Sequence, residues 1–208
     1  MVMNVVFDFG AVVFSWRPQD LVRSAFPQQA DTPAAAQALA AALFHHEDWQ
    51  NFDRGTISQA SVVDRSATRL ALPHAALDAL VASIPQYLTP IPGTVAMLER
   101  LRERRERQGD VRLYFLSNMP EPYARVLEGR HGFLQWFDGG MFSADVKLIK
   151  PQPDIFELLQ SRYTLAPART VFIDDLPANV EAARVHGWHA IHFESSSQLE
   201  PLLAAHID

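Results

Sequence analysis

Short β-rich runs, nearly continuous in apolar character, recur along the chain at residues 4–7, 112–116, 170–173 and 189–193. The first stops at Asp8, the second at Ser117-Asn118 and the third at Asp174-Asp175. Apolar runs without strict alternation are the mark of parallel strands covered on both faces. Amphipathic segments lie between them. Residues 94–108 stop at Gly109, and residues 178–186 follow Pro177 and stop at Gly187, the Pro-in, Gly-out asymmetry of helix ends. Strand and helix in alternation predict a doubly wound α/β domain. Such sheets bind ligands beyond the carboxyl ends of their strands, the edge at which these polar residues fall.

Residues 18–88 carry no convincing strand. Residues 33–43 are Ala/Leu-rich, residues 59–70 are amphipathic and residues 75–84 form a third helical candidate. The pattern predicts a helical cap at residues 18–88, inserted after the first strand above the ligand edge. Residues 1–17 and 89–208 then form the core, with Pro90-Ile91-Pro92-Gly93 marking the return to it.

Composition narrows the functional classes. A chain of 208 residues, 48% hydrophobic and 20% charged, is long enough to bury roughly 70% of its unfolded surface without a covalent staple. It has no cysteine, which excludes disulfides, thiolate zinc sites and cysteine nucleophiles. The 18 Lys+Arg against 24 Asp+Glu give a net charge of -6, a sign that repels nucleic acid and anionic membrane. The run Val5-Val6-Phe7 is cut by Asp8, unlike a signal peptide, and no apolar stretch is long enough to span a bilayer. The expectation is a soluble, cytoplasmic protein. Arg and Glu interleaved over residues 99–107 read as a solvated helix face.

The strand ends supply the candidate chemistry. Asp8 ends the first strand and Ser117-Asn118 the second; Lys150 opens Lys-Pro-Gln-Pro-Asp-Ile-Phe before a helix; Asp174-Asp175 end a later strand, with Asn179 on the helix that follows. Three carboxylates converging on one edge repel each other unless a cation lies among them, and their hard oxygens favour Mg²⁺. A carboxylate beside Mg²⁺, faced by an ammonium and a hydroxyl, suits phosphoryl transfer. Asp8 would attack phosphorus, Lys150 would neutralise phosphoryl charge, and Ser117 would donate hydrogen bonds.

These four motifs in this order resemble those of the haloacid dehalogenase-like (HAD) hydrolases, over residues 4 to about 193. Within that superfamily, Phe7-Asp8-Phe9-Gly10-Ala11-Val12-Val13 and residues 48–58 (Asp-Trp-Gln-Asn-Phe-Asp-Arg-Gly-Thr-Ile-Ser) are similar to a narrower group. It includes the bacterial α-D-glucose-1-phosphate phosphatase and relatives of the epoxide hydrolase N-terminal domain. The resemblance implies a Rossmann-like core with a helical cap, Mg²⁺ and an aspartyl-phosphate intermediate. It implies a metal held by Asp8, the carbonyl of Gly10 and Asp174, with Asp175 positioning metal-bound waters or capping a helix. Asn118 would contact the substrate or fix its loop, and Asn179 would stand behind the site. The implied activity is a phosphatase acting on a small phosphorylated metabolite, a sugar phosphate above all.

Gly10 departs from the pattern of typical HAD phosphatases, which carry a second Asp there as general acid, although the narrower group shares the Gly. The expected remedies are a good leaving group, such as a sugar 1-phosphate, or an acid supplied by water or by the cap. The rival readings are a metal-independent 2-haloacid dehalogenase, disfavoured by Asp174-Asp175, and a phosphometabolite-binding protein without turnover. His45 and His46 read as cap surface, one of them able to line an entrance. Trp16, Trp49 and Phe52 read as cap packing.

Overall fold

Side chains of β1 (Met3–Phe7) alternate between two apolar layers, Val5 and Phe7 entering one and Val6 the other. The period of two along a strand sends successive side chains to opposite faces, so both faces of the sheet must be covered. β2 (Val111–Ser117), β3 (Gly139–Phe142), β4 (Thr170–Asp174) and β5 (His189–His192) complete an all-parallel, five-stranded sheet in the order β3-β2-β1-β4-β5. This is a computed structural model, and it describes residues 2–207. On one face, α6 (Pro92–Gln108), α7 (Glu121–Arg130) and α11 (Ser196–Ile207) contribute Leu98, Leu127 and Leu199. On the other, α9 (Pro153–Tyr163) and α10 (Pro177–Val185) contribute Phe156 and Ala183. The fold is the Rossmann-like α/β sandwich the alternation predicts.

Between β1 and α6 lie α1 (Pro18–Ala25), α2 (Pro33–Phe44), α3 (Glu47–Asp53), α4 (Gln59–Leu70) and α5 (His74–Tyr87). Leu43, Val63, Leu77 and Ile84 of this helical insertion belong to the same apolar cluster as Val5 and Phe7. α1 and α3 go beyond the three helices expected here. Both are short and polar in composition, and α1 buries only Leu21 and Val22. α5 continues through Pro85 to Tyr87, and α6 begins at Pro92 rather than residue 94. β3 is also additional. A Cβ on its Gly140 would lie 2.1 Å from the Phe115 ring, so glycine is needed for close approach although it is a poor strand former. Among the described residues, no helix is long and apolar enough to cross a membrane.

The turn after β1 positions the ligand edge. The Asp8 amide donates to the Ile173 carbonyl (2.9 Å), extending the β1–β4 pairing, and the amides of Val13 and Phe14 both return to the Phe9 carbonyl (2.9 and 2.8 Å). Ala11 takes up the reversal at φ 56°. Phe9 is fully buried, its ring centroid 4.7 to 5.7 Å from those of Phe14, Phe115, Phe137 and Phe142. That plug fixes the backbone on which Asp8 and Gly10 sit. Phe9→Ala is therefore expected to cost about 3–5 kcal/mol, read as a lower midpoint in urea unfolding with an unchanged slope.

Candidate active site

Three carboxylates and one ammonium meet at the carboxyl ends of β1 and β4. Lys150, in the loop between α8 (Ser143–Val146) and α9, places Nζ 2.9 Å from Asp8 Oδ1 and 2.6 Å from Asp174 Oδ2. Lys150, Asp8 and Asp174 are all buried. Asn118, just past β2, holds the lysine by its backbone: its Oδ1 accepts from the Lys150 amide (2.8 Å) and its Nδ2 donates to the Lys150 carbonyl (2.9 Å). Asp174 also accepts from the Leu176 amide (2.8 Å) and from Asn179 Nδ2 (3.0 and 3.1 Å). Both oxygens of this buried carboxyl thus have partners, the condition under which a polar group is tolerated in the interior.

Asp8 is less well compensated. Burial pushes its carboxyl up to about 7; Lys150 opposes this, while Asp174 and Asp175 add repulsion. Burial, with Asp174 beside it, pushes Asp175 up to about 6. Lys150 lies above its ordinary value because Asp174 and Asp8 outweigh the burial that acts to lower it. Oxygen atoms of Asp8, Asp174 and Asp175 lie within 4.8 Å of one another. With all three carboxyls ionised, their charges outnumber the single ammonium by two. A small divalent cation with a preference for oxygen matches both that charge and that donor set.

A cavity of about 390 Å³ opens over this group. Asp8, Gly10, Lys150, Asp175 and Asn179 line it on the core side, and Trp16, Phe44, Trp49, Ile84 and Leu88 on the side of the insertion. Ser117 and Asp174 are buried and stand outside its wall. Ser117 ends β2, paired with Phe142 in the sheet. His45 lines the cavity, whereas His46 caps α3 by accepting from the Asp48 amide (3.1 Å). Trp16 and Trp49 belong to the wall, and Phe52 packs edge-on against Trp49 and Tyr123. A larger recess of about 730 Å³ lies between α1 and α5, with none of the three clustered carboxylates in its wall.

Asp53, at the end of α3, also lines the site cavity and went unnoticed in the sequence. A signal was present: Trp49 and Asp53 are spaced i and i+4, on one face of a helix. A cavity-facing Trp49 brings Asp53 with it.

The model of the haloacid dehalogenase-like hydrolases matches residues 2–187. The chain belongs to that family. It is 27% identical over 191 residues to the sesquiterpene phosphatase astK of Aspergillus oryzae, covering 92% of this chain and 89% of the relative. It is 26% identical over 148 residues to the validoxylamine A 7'-phosphate phosphatase of Streptomyces hygroscopicus subsp. limoneus, covering 71% and 66%. A HAD family enzyme of Bacteroides thetaiotaomicron, crystallised with magnesium and inorganic phosphate, shares the fold at a TM-score of 0.68 and 20% identity, over 96% of this chain and 99% of that one. This HAD hydrolase thus has phosphatases among its relatives.

Raised carboxylates make cation binding a competition with protons. Between the ordinary value of 3.8 and about 7 for Asp8, the folded protein binds more protons than the unfolded chain. This source of metal-free stability therefore falls as pH rises through that window, and a divalent cation held by these carboxylates would restore it. The rise in melting temperature on adding Mg²⁺ is expected to grow from about pH 5.5 to about pH 8. Asp8→Asn should flatten that pH dependence in the same thermal-shift series.

Proposed function

We propose that this HAD hydrolase is a Mg²⁺-dependent, cytoplasmic phosphatase that cleaves a small organic phosphomonoester through a phosphoryl group carried on Asp8. The observation that carries the reading is the pairing of an under-compensated carboxylate, Asp8, with a buried lysine and two further carboxylates at one strand edge. Asp8, Asp174 and the Gly10 carbonyl would hold the ion, with Asp175 positioning its waters. When bound, Mg²⁺ supplies Lewis-acid neutralisation of phosphoryl charge and draws the anionic substrate toward an anionic nucleophile.

The residues of the chain account for the rest. Asp8 attacks phosphorus, and its carboxylate is available because Lys150 stabilises the charged form. Lys150 faces the transferring group with its Nζ fixed by two carboxylates and its backbone fixed by Asn118. Preorganised charge of this kind costs no reorganisation at the moment of reaction. Asn179 and the Leu176 amide keep the Asp174 carboxyl oriented.

The walls bear on the body of the substrate. Trp16, Phe44, Trp49, Ile84 and Leu88 present apolar surface above the carboxylates, which favours an apolar or mixed organic body over the sugar the resemblance implies. The similarity to a sesquiterpene phosphatase supports that preference. The dehalogenase reading is disfavoured electrostatically, because a haloacid carboxylate would enter beside two uncompensated negative charges.

In a p-nitrophenyl phosphate assay, activity should require Mg²⁺ and be lost on chelation. Asp8→Asn should lower turnover by at least about 10³-fold, as removal of a nucleophile does, while folding is retained by circular dichroism. Halide release from 2-chloropropionate without phosphate release would overturn the reading. Across a substrate panel, prenyl and other alkyl monophosphates should exceed hexose phosphates in kcat/KM.

A further inference from the structure

The position where a leaving-group acid would follow the nucleophile is Gly10, which has no side chain to give a proton. An alkoxide leaving group needs one, and general acid catalysis is worth about 10²–10⁴-fold. We infer that Asp53, carried on α3 of the helical insertion, is the proton donor to the leaving oxygen. The inference rests on the phosphatase reading and deepens it.

The geometry begins with the backbone. Ser143 Oγ, on the core side, donates to the Asp53 carbonyl and accepts from the Met119 amide (2.8 Å), tying the end of α3 to the loop after β2. Two residues on, Lys147 Nζ donates to the Gly55 carbonyl (2.8 Å). Gly55 sits at φ 70°, where a Cβ would come within 2.7 Å of that ammonium and 3.0 Å of the Ala144 carbonyl. The insertion is thus pinned to the core on Asp53 itself and just beyond it, at the point where α3 reaches the cavity. A catalytic acid needs this fixity, because small misplacements lose large factors in rate.

The side chain is free for the task. Arg54 next to it is turned to Asn51 Oδ1 (2.8 Å). The Asp53 carboxyl has no hydrogen-bond or ion-pair partner among the described residues, and it shares the cavity wall with Asp8, Gly10 and Lys150. It is half-buried, whereas His45, another protic side chain of the wall, is exposed at the rim. Burial and the charge of Asp8 hold the Asp53 carboxyl well above the usual carboxylate range, with Lys150 opposing them, so the proton is retained until the leaving oxygen takes it.

The steps balance. Asp8 forms a bond to phosphorus as the bond from phosphorus to the alkoxy oxygen breaks. The departing electron pair takes the Asp53 proton, releasing the alcohol and leaving Asp53 as carboxylate. Water then attacks phosphorus and gives its proton to Asp53. The bond from phosphorus to Asp8 breaks, the electron pair returns to the Asp8 carboxylate, and inorganic phosphate departs.

The test is the leaving-group dependence of kcat/KM across p-nitrophenyl, phenyl and p-methoxyphenyl phosphate, with Mg²⁺, in the wild type, Asp53→Asn and His45→Gln. Asp53→Asn should lose about 10²–10⁴-fold on p-methoxyphenyl phosphate and at least about tenfold less than that on p-nitrophenyl phosphate, whose leaving group needs little protonation. Because Asp53 also serves the second step, the variant should show a burst of p-nitrophenolate that the wild type lacks. Adding Gly10→Asp to Asp53→Asn should recover the poor leaving groups, since a Cβ at Gly10 meets nothing within 4 Å. A loss equal on all three esters, or a steeper dependence in His45→Gln instead, would overturn the assignment and leave the phosphatase reading intact. A wild type inactive on all three would overturn both.

Discussion

The buried salt bridge from Lys150 to Asp8 and Asp174 is the constraint around which the rest of this structure is arranged. Taking several charges out of water carries a desolvation cost that mutual attraction repays only when the geometry is good and the remaining lone pairs are bonded. The fold meets that condition for Asp174, which receives hydrogen bonds from Lys150, Leu176 and Asn179. It leaves Asp8 with Lys150 as its one ionic partner among the described residues. This asymmetry makes little sense as a stabilising device, since a well-packed apolar cluster would serve better. It makes sense as a site held in tension, where one carboxylate is saturated and another is left reactive.

Much of that arrangement was legible in the sequence, for physical reasons. The apolar runs ending at Asp8, Ser117-Asn118 and Asp174-Asp175 could be read as strands because strands buried on two faces need no polar alternation, and an abrupt polar residue marks where the sheet ends. Because the strands are parallel, those ends share one edge, so distant motifs converge without any pairwise signal between them. Lys150 could be placed in the same group only through the order of the motifs, since nothing local announces that a loop lysine reaches two carboxylates.

What stayed hidden depended on tertiary contact. β3 has Gly139 and Gly140 where a strand pattern would call for β-branched residues; the second glycine is explained by the Phe115 ring against it. α1 and α3, of eight and seven residues, are too short for periodicity to mark them as helices, and they are held by a few buried side chains such as Leu21 and Trp49. Asn118 is ambiguous in sequence between substrate contact and loop support. In the fold both ends of its amide are engaged by the Lys150 backbone, a pairing across 32 positions that no window on the sequence could reveal.

The division between the two halves of the cavity has a mechanistic consequence. The core side contributes charge: Asp8, Lys150 and Asp175, set on strand ends and loops that the sheet holds rigid. The insertion contributes mostly apolar surface: Trp16, Phe44, Trp49 and Ile84. Closing apolar walls over fixed charges excludes water and strengthens each interaction beneath them. With no side chain on Gly10 to give a proton to the departing alkoxide, a polar group that the insertion itself brings to the wall is placed to do so. α3 carries Trp49 and Asp53 one turn apart, so the helix that shapes the pocket for the substrate's body would also carry the acid for its leaving oxygen. Substrate preference and proton delivery would then shift together whenever that helix moves.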